Sequence, residues 1–275
     1  MSRGVLVLSY RRPRGVRTLG FLRRYGYTGD WRIVCSDDDP TLGEYYSVHS
    51  RGRVIPFRRA TIECDYCDLL PFDDERYRSV LPARVVAWDV ADALGWKRFA
   101  LFDDDYDSIQ LSSSFSSRRY SLHRIPYFLD RLSELFWRWL ESMPSFVLGL
   151  SMGQTGDRSY ERDSFKRKAM NSFYLLTSRR FSWVGRCNED VSTYFGEQLR
   201  GKIFLQVNYL LVHQSRMMSR DGGSTNLYKS LGSDRIKALY SFLQWPGMVR
   251  VGYCASVGRC HHKILAHSYP YVVRR

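Results

Sequence analysis

Short apolar runs and amphipathic stretches take turns along the first hundred residues. Gly4 to Ser9 reads as a buried strand, Val16 to Tyr25 as an arginine-rich helix, and Trp31-Arg32-Ile33-Val34-Cys35 as a second strand running into Ser36-Asp37-Asp38-Asp39. Thr41 to His49 has a helical pattern and Arg53-Val54-Ile55-Pro56-Phe57 reads as a third strand. Val80 to Leu94 places Val86, Val90, Ala91 and Leu94 on one helix face. Arg98-Phe99-Ala100-Leu101-Phe102 is a fourth strand, ended by Asp103-Asp104-Asp105. This alternation predicts an α/β fold with a mixed, mostly parallel sheet flanked by helices.

Beyond the second aspartate triplet the pattern loosens. Ser108 to Ser117 is serine-rich, Ile125 to Glu141 is a helix with Pro126 in its first turn, and Phe146 to Leu150 is another strand. Gly153 to Lys168 is polar and charge-dense, as a loop is, and Phe173 to Leu176 and Phe181 to Val184 resume strand character. A helix over Asn188 to Leu199, a strand over Ile203 to Val212, a Gly-rich loop over Asp221 to Asn226, a helix over Ser233 to Phe242 and a last strand over Val249 to Tyr253 complete the chain. With no internal repeat, heptad pattern or long linker, one domain over residues 1–275 is expected.

Composition adds a partner class. Forty-two Lys and Arg against 28 Asp and Glu leave a net charge of +14 on a chain of 275 residues that is 44% apolar and 15% aromatic. That much apolar surface builds a core, so the charge sits on a folded body and points to a polyanion. No run approaches the roughly 18 to 20 uncharged apolar residues that span a bilayer, and Gly4 to Leu8 is too short for a signal-peptide core. No membrane association and an intracellular location are therefore expected. The six cysteines are too sparse for a disulfide scaffold, and Cys64 and Cys67 with Cys260-His261-His262 match no zinc spacing, so idle thiols are expected.

The chemistry gathers at the triplets. Three adjacent carboxylates repel one another, and a hard divalent cation relieves that repulsion while accepting phosphate oxygens as well. Along an extended segment Asp103 and Asp105 share a side and can share a metal. Asp37 to Asp39 is followed by Pro40 and reads as a turn. The chain lacks the Gly-x4-Gly-Lys-Ser/Thr phosphate loop. Gly149-Leu150-Ser151-Met152-Gly153 matches a nucleophile elbow, but the helix that motif needs does not follow, so Ser151 reads as a turn residue.

A first strand ending Leu8-Ser9-Tyr10-Arg11-Arg12-Pro13, a second ending at Asp37, Pro82-Ala83-Arg84 on a helix and Phe102-Asp103-Asp104-Asp105-Tyr106 together resemble GT-A glycosyltransferases with their Asp-x-Asp motif. More narrowly, Arg167-Lys168-x-x-Asn171-Ser172-Phe173, Gly185-Arg186-x-Asn188-Glu189-Asp190-Val191 and His261-His262-Lys263-Ile264 resemble the TET-associated phage glycosyltransferases, which attach sugars to hydroxymethylated bases in DNA. The resemblance runs from Val5 to about Ile264. Related sequences tend to carry Asn after the helical arginine where this chain has Val85, which leaves Arg84 as the donor contact there.

The resemblance implies a GT-A-like, Rossmann-type fold, with residues 1–110 as the nucleotide-sugar half and 111–275 as the acceptor half. It implies Mn2+ or Mg2+ held by Asp103 and Asp105 and completed by a late histidine. His261 and His262 face opposite ways on a strand, so only one can serve, and His262 is favoured. The donor, a UDP-sugar, is expected to meet Ser9, Tyr10, Arg11, Asp37, Arg84, Asp104 and Lys263. Asp190 is the implied general base, with Glu189 binding the acceptor. Asn188-Glu189-Asp190 also suits a helix start, with Asn as N-cap and two acids at the dipole's positive end. Arg167, Lys168, Asn171 and Asn188 are expected at double-stranded DNA carrying 5-hydroxymethylcytosine, in the cytoplasm of a phage-infected bacterial host. Basic groups within Arg11 to Arg24, Arg118 to Arg124 and Arg158 to Lys168 would follow its phosphates, and Tyr160, Phe165, Phe173 and Trp183 are candidate walls for an extruded base. Two other readings stand beside this one: a GT-A enzyme with a non-DNA acceptor, and a non-catalytic nucleic-acid-binding module.

Overall fold

A computed structural model describes residues 2–63, 78–113, 116–155, 165–166, 168, 172–214, 227, 234–254 and 259–265. The expected Cys64–Cys67 pair, Tyr160, Arg167, Asn171 and the Gly-rich loop at 221–226 lie outside these residues.

The first half follows the predicted alternation: β1 (Arg3–Leu8), α1 (Arg17–Arg24), β2 (Asp30–Ser36), α2 (Leu42–His49), β3 (Val54–Phe57), α3 (Leu81–Ala93) and β4 (Arg98–Asp103). There follow β5 (Tyr106–Ser113), β6 (Ser116–Ser121), α4 (Phe128–Ser142), β7 (Val147–Gln154), β8 (Phe165–Lys166), β9 (Phe173–Leu176), α5 (Glu189–Leu199), β10 (Ile203–Gln214), α6 (Asp234–Gln244), β11 (Val249–Cys254) and β12 (Arg259–Ile264). The main sheet runs β3-β2-β1-β4-β9-β7-β10-β5-β6, with β8 on β10, while β11 and β12 form a separate hairpin. β3, β2, β1 and β4 are mutually parallel, whereas β9 lies antiparallel to both its neighbours.

The strands are apolar on both faces because helices cover both. Val5, Val7, Ile33, Cys35, Ala100 and Phe102 join the core beneath α1, α2 and α4. Their alternates Leu6, Leu8, Val34, Phe99 and Leu101 face α3 and α5. This period-two division is what a doubly covered sheet requires.

Several elements depart from the pattern reading. The serine-rich stretch at 108–117 supplies much of β5 and part of β6, because pairing of β5 with β10 and of β6 with β5 stabilises serines of low strand propensity. Phe181 to Val184 is not a strand: Phe181 and Trp183 are buried from an irregular segment, so their apolar character reflects burial rather than pairing. Pro126 precedes α4, whose N-cap is Tyr127. Ser151 is neither a turn nor an elbow but a fully buried position inside β7.

Candidate active site

After β1 the chain steps to β2 and β3, then returns to β4 on the other side of β1. Ligands of open α/β sheets bind at the carboxyl ends of strands, where the order reverses in this way. Leu8 and Asp103, the last residues of β1 and β4, are register partners at that edge.

The Asp103 to Asp105 segment is pinned from below by α1. Thr18 Oγ1 donates to the Asp103 carbonyl at 2.5 Å and accepts the Tyr106 N–H at 3.1 Å. The three side chains then diverge. Asp104 turns inward, accepting from Ser9 Oγ at 2.7 Å and Arg12 Nη1 at 2.7 Å. Ser9 gives its only proton to Asp104, so Tyr45, 2.6 Å away, donates its hydroxyl to Ser9. Asp103 and Asp105 turn the other way, and both accept from Gln214 Nε2, at 3.3 and 3.2 Å. Burial, and to a lesser degree Asp105 and Glu189, outweighs Arg84 and pushes the Asp103 carboxyl up to about 7.

Arg84 ties this turn to α5. Its guanidinium, 2% exposed, donates from Nε to Glu189 at 2.9 Å and from Nη2 to Asp103 at 3.2 Å. It lies 5.2 Å from the ring centroids of Phe173 and Trp183, which themselves meet edge-on at 4.9 Å. Burial disfavours the cation, but Asp103, Glu189 and Asp190 more than reverse that, so Arg84 stays charged. Only Nη1 lacks a hydrogen-bond partner among the described residues. Two of the three guanidinium nitrogens thus hold protein carboxylates.

The segment before α5 is docked on α6. Arg186 N donates to the Tyr240 hydroxyl, and Asn188 Nδ2 donates to the Lys237 carbonyl at 3.1 Å and Ser241 Oγ at 2.7 Å. Asn188 is in the left-handed region, φ 52°, and occupies the N-cap position without a side-chain cap bond. Its side chain is buried against α6, where it holds Glu189 and Asp190 in place. Asp190, 8% exposed, accepts its own Val191 N–H. Burial, then the Glu189 charge, raises its carboxyl to about 6 against the pull of Arg84 and Lys237.

On β12 the two histidines divide as the strand period requires: His261 is exposed and His262 buried. Burial first, then His261, Lys237 and Lys168, holds His262 down to about 3, leaving its ring neutral. Lys168, expected at the DNA, is 8% exposed and lies in the field of His262. Lys263 is exposed beside Gly252. Tyr10 lies 5.2 Å from each of two guanidinium groups, those of Arg11 and Arg78.

Among the described residues no three His, Cys, Asp or Glu side chains converge at ligand spacing. The joint grip of Asp103, Asp105 and His262 is thus not formed: the aspartates face Arg84 and Gln214, and His262 pairs across the hairpin with Val251. The aspartate pair alone nevertheless suits a hard cation. The positively polarised N–H hydrogens of one amide already point at two carboxylate oxygens, and 26% of the Asp103 side chain is open.

In the first triplet, Asp38 and Asp39 serve the fold, as Pro40 indicates. Asp38 takes a paired contact from Arg78 at 2.6 Å, Asp39 caps Arg11 N and Thr41 N, and Asp37, though exposed, accepts Arg59 N. Arg12, Thr18, Gln154 and Gln214 were not singled out by sequence reasoning. Arg12 stood inside a quoted motif, whereas Gln214 carried no signal beyond ending a strand.

The profile of the family described as TET-Associated Glycosyltransferase matches residues 4–223. The chain belongs to the TET-associated glycosyltransferases. No curated protein matches it. Among solved structures this family member is similar to glucosyl-3-phosphoglycerate synthase from Mycobacterium tuberculosis in complex with Mg2+ and UDP, at 10% identity and TM-score 0.47, covering 96% of this chain and 87% of that one. It is also similar to S. aureus TarS 1–349, at 11% identity and TM-score 0.45, covering 87% of this chain and 65% of that one. No described helix of this glycosyltransferase is long and apolar enough to cross a membrane.

Proposed function

We propose that this glycosyltransferase moves a sugar from a nucleotide-sugar donor, a UDP-sugar, to the hydroxyl of 5-hydroxymethylcytosine in double-stranded phage DNA. The observation that carries the proposal is the Arg84 bridge. One buried cation joins Asp103, at the carboxyl edge of the parallel strands, to Glu189 at the start of α5. This supports a site in which an acid assigned to the donor and an acid assigned to the acceptor lie on the same guanidinium. Residues 1–110 would bind the donor and 111–275 the acceptor.

Asp103 and Asp105 would hold Mn2+ or Mg2+, whose charge neutralises the departing diphosphate. Arg84 Nη1 is the guanidinium nitrogen left for a phosphate oxygen. Ser9, Tyr10, Arg11 and Asp37 border the donor's base and ribose. Asp104 anchors their loop through Ser9 and Arg12, and Lys263 supplies a further cation. Asp190 takes the proton of the acceptor hydroxyl. With its carboxyl near 6 it is ionised at neutral pH yet more basic than an ordinary aspartate.

The test is nucleotide release from a UDP-sugar with hydroxymethylated duplex DNA and Mn2+ or Mg2+, checked by mass spectrometry of the digested nucleosides. Release that is absent across a donor panel refutes the proposal. The burial of Lys168 and Asn188 favours a second reading, a smaller hydroxyl acceptor. In that case turnover is indifferent to DNA and depends little on salt.

A further inference from the structure

The last residue of β10 stands where a strand would normally stop mattering. Between His213 and Gln214 the β10–β5 register slips, so Gln214 pairs with Tyr106 and not with Asp107. Such irregularities re-aim a side chain, and here the re-aimed side chain meets the aspartate turn. Gln214 Nε2 lies 3.3 Å from Asp103 Oδ2 and 3.2 Å from Asp105 Oδ1. Its Oε1 accepts from Gln154 Nε2 at 2.9 Å, across the parallel β7–β10 pair. The orientation of the amide follows from its partners: Gln154 Nε2 can only donate, so Gln214 Oε1 faces it and the NH2 is left for the two aspartates.

We propose that Gln214 is a displaceable positioning residue. In the cation-free protein its amide nitrogen stands in for a divalent cation between Asp103 and Asp105, and it yields that place when the cation binds. This deepens the reading of the two aspartates as cation ligands and rests on it. The amide is held by its third contact, to Gln154, at the correct height between the carboxylates. The turn therefore keeps its two acids side by side without a cation, and cation binding must give up two amide hydrogen bonds.

The test measures Mn2+ affinity, from the electron paramagnetic resonance signal of free Mn2+, together with the thermal midpoint of the metal-free protein. Gln214→Met keeps the side-chain length and removes the donor. It is expected to bind Mn2+ about tenfold more tightly, the worth of the amide contacts no longer displaced. Its metal-free midpoint should be lower, and the difference from the parent should vanish in saturating Mn2+. Gln214→Asn, too short to reach both carboxylates, is expected to tighten binding in the same direction should the Met variant fold poorly. Gln214→Glu adds a third carboxylate, and is expected to bind tightest and to be the least stable without metal. Mn2+ affinity unchanged or weaker in both Gln214→Met and Gln214→Asn overturns the proposal. If Asp105→Asn has still lost Mn2+ in that case, the cation reading of the aspartates survives the failure. Mn2+ binding unaffected by Asp105→Asn overturns both.

Discussion

Arg84→Met is the most direct probe of how the site is assembled. The substitution keeps a long apolar stem on the Phe173 and Trp183 rings and removes the guanidinium. Two charged hydrogen bonds disappear, at 2.9 Å to Glu189 and 3.2 Å to Asp103. At roughly 1.5–3 kcal/mol each, that is about 3–6 kcal/mol. Working against the loss is relief from burying a cation that is 2% exposed, with the Nη1 amino group unpaired, worth about 1–2 kcal/mol. The Coulombic side wins because Glu189 is left buried with no cation on the oxygen that held one, and the net cost is about 3 kcal/mol. For a chain of this size that lowers the thermal midpoint by about 9 °C. Denaturation followed by tryptophan fluorescence reads it, since Trp183 borders the site. Glu189→Gln added to Arg84→Met removes one orphaned charge, so the double variant should lose about 2 kcal/mol less than the two singles summed. Additive losses, or a single loss under about 0.5 kcal/mol, would refute the assignment of Arg84 as the tie between the two halves of the site.

Asp190 sets a pH limb. kcat/KM should fall tenfold per pH unit below about 6, and Glu189→Gln should move that limb to lower pH, because a neighbouring negative charge is part of what raises the Asp190 carboxyl. The sign for stability is opposite to that of a paired carboxylate. Between about pH 4 and 6 the folded protein holds a proton at Asp190 that the unfolded chain has lost, so this group's contribution falls as pH rises across that window. Asp190→Asn should flatten the slope in urea titrations. Asp104→Asn weakens the contacts to Ser9 and Arg12, both at 2.7 Å. A loss of about 2 kcal/mol is expected, with KM for the donor rising more than kcat falls. Gly185 has φ +87°, and a Cβ there would meet the Gln244 side-chain amide at 3.1 Å and Ser192 Oγ at 3.2 Å. Gly185→Ala should cost about 1–3 kcal/mol and reduce kcat by displacing the Asn188 to Asp190 segment from α6, both readable by calorimetry and steady-state rates.

The parallel half of the fold was legible because its signal is local. Each strand is a continuous apolar run that ends in polar residues, and each helix carries its own amphipathic period. The second half was less so. Serines in β5 and β6 carry no strand propensity of their own and are ordered by their neighbours, and Phe181 and Trp183 are buried without a ladder. At the site, the chain pattern singled out Asp103 and the family resemblance singled out Glu189 and Asp190. It did not reveal that Arg84 would be consumed in joining them. A long side chain on a helix gives no local sign of which carboxylate, 19 or 105 residues away in sequence, it will meet. The burial of Lys168 was hidden for a related reason: a lysine in a charge-dense stretch reads as surface, while the fold buries it in the neighbourhood of His262.

The two aspartate triplets show why composition does not make a site. Both follow an apolar strand at the same edge of the sheet, and both carry three negative charges. In the first, Asp38 and Asp39 are engaged by Arg78, Arg11 and Thr41, and Asp37 accepts the Arg59 N–H, so the triplet ties neighbouring segments together. In the second, only Asp104 is engaged in that way, by Ser9 and Arg12. Its inward anchoring forces its two neighbours to the opposite side, where they share one amide donor and lean on Arg84. The middle aspartate is therefore what makes the outer two available. A site of this kind arises when one member of a charged run is satisfied by the fold and the others are left facing the cleft with less positive charge than they need.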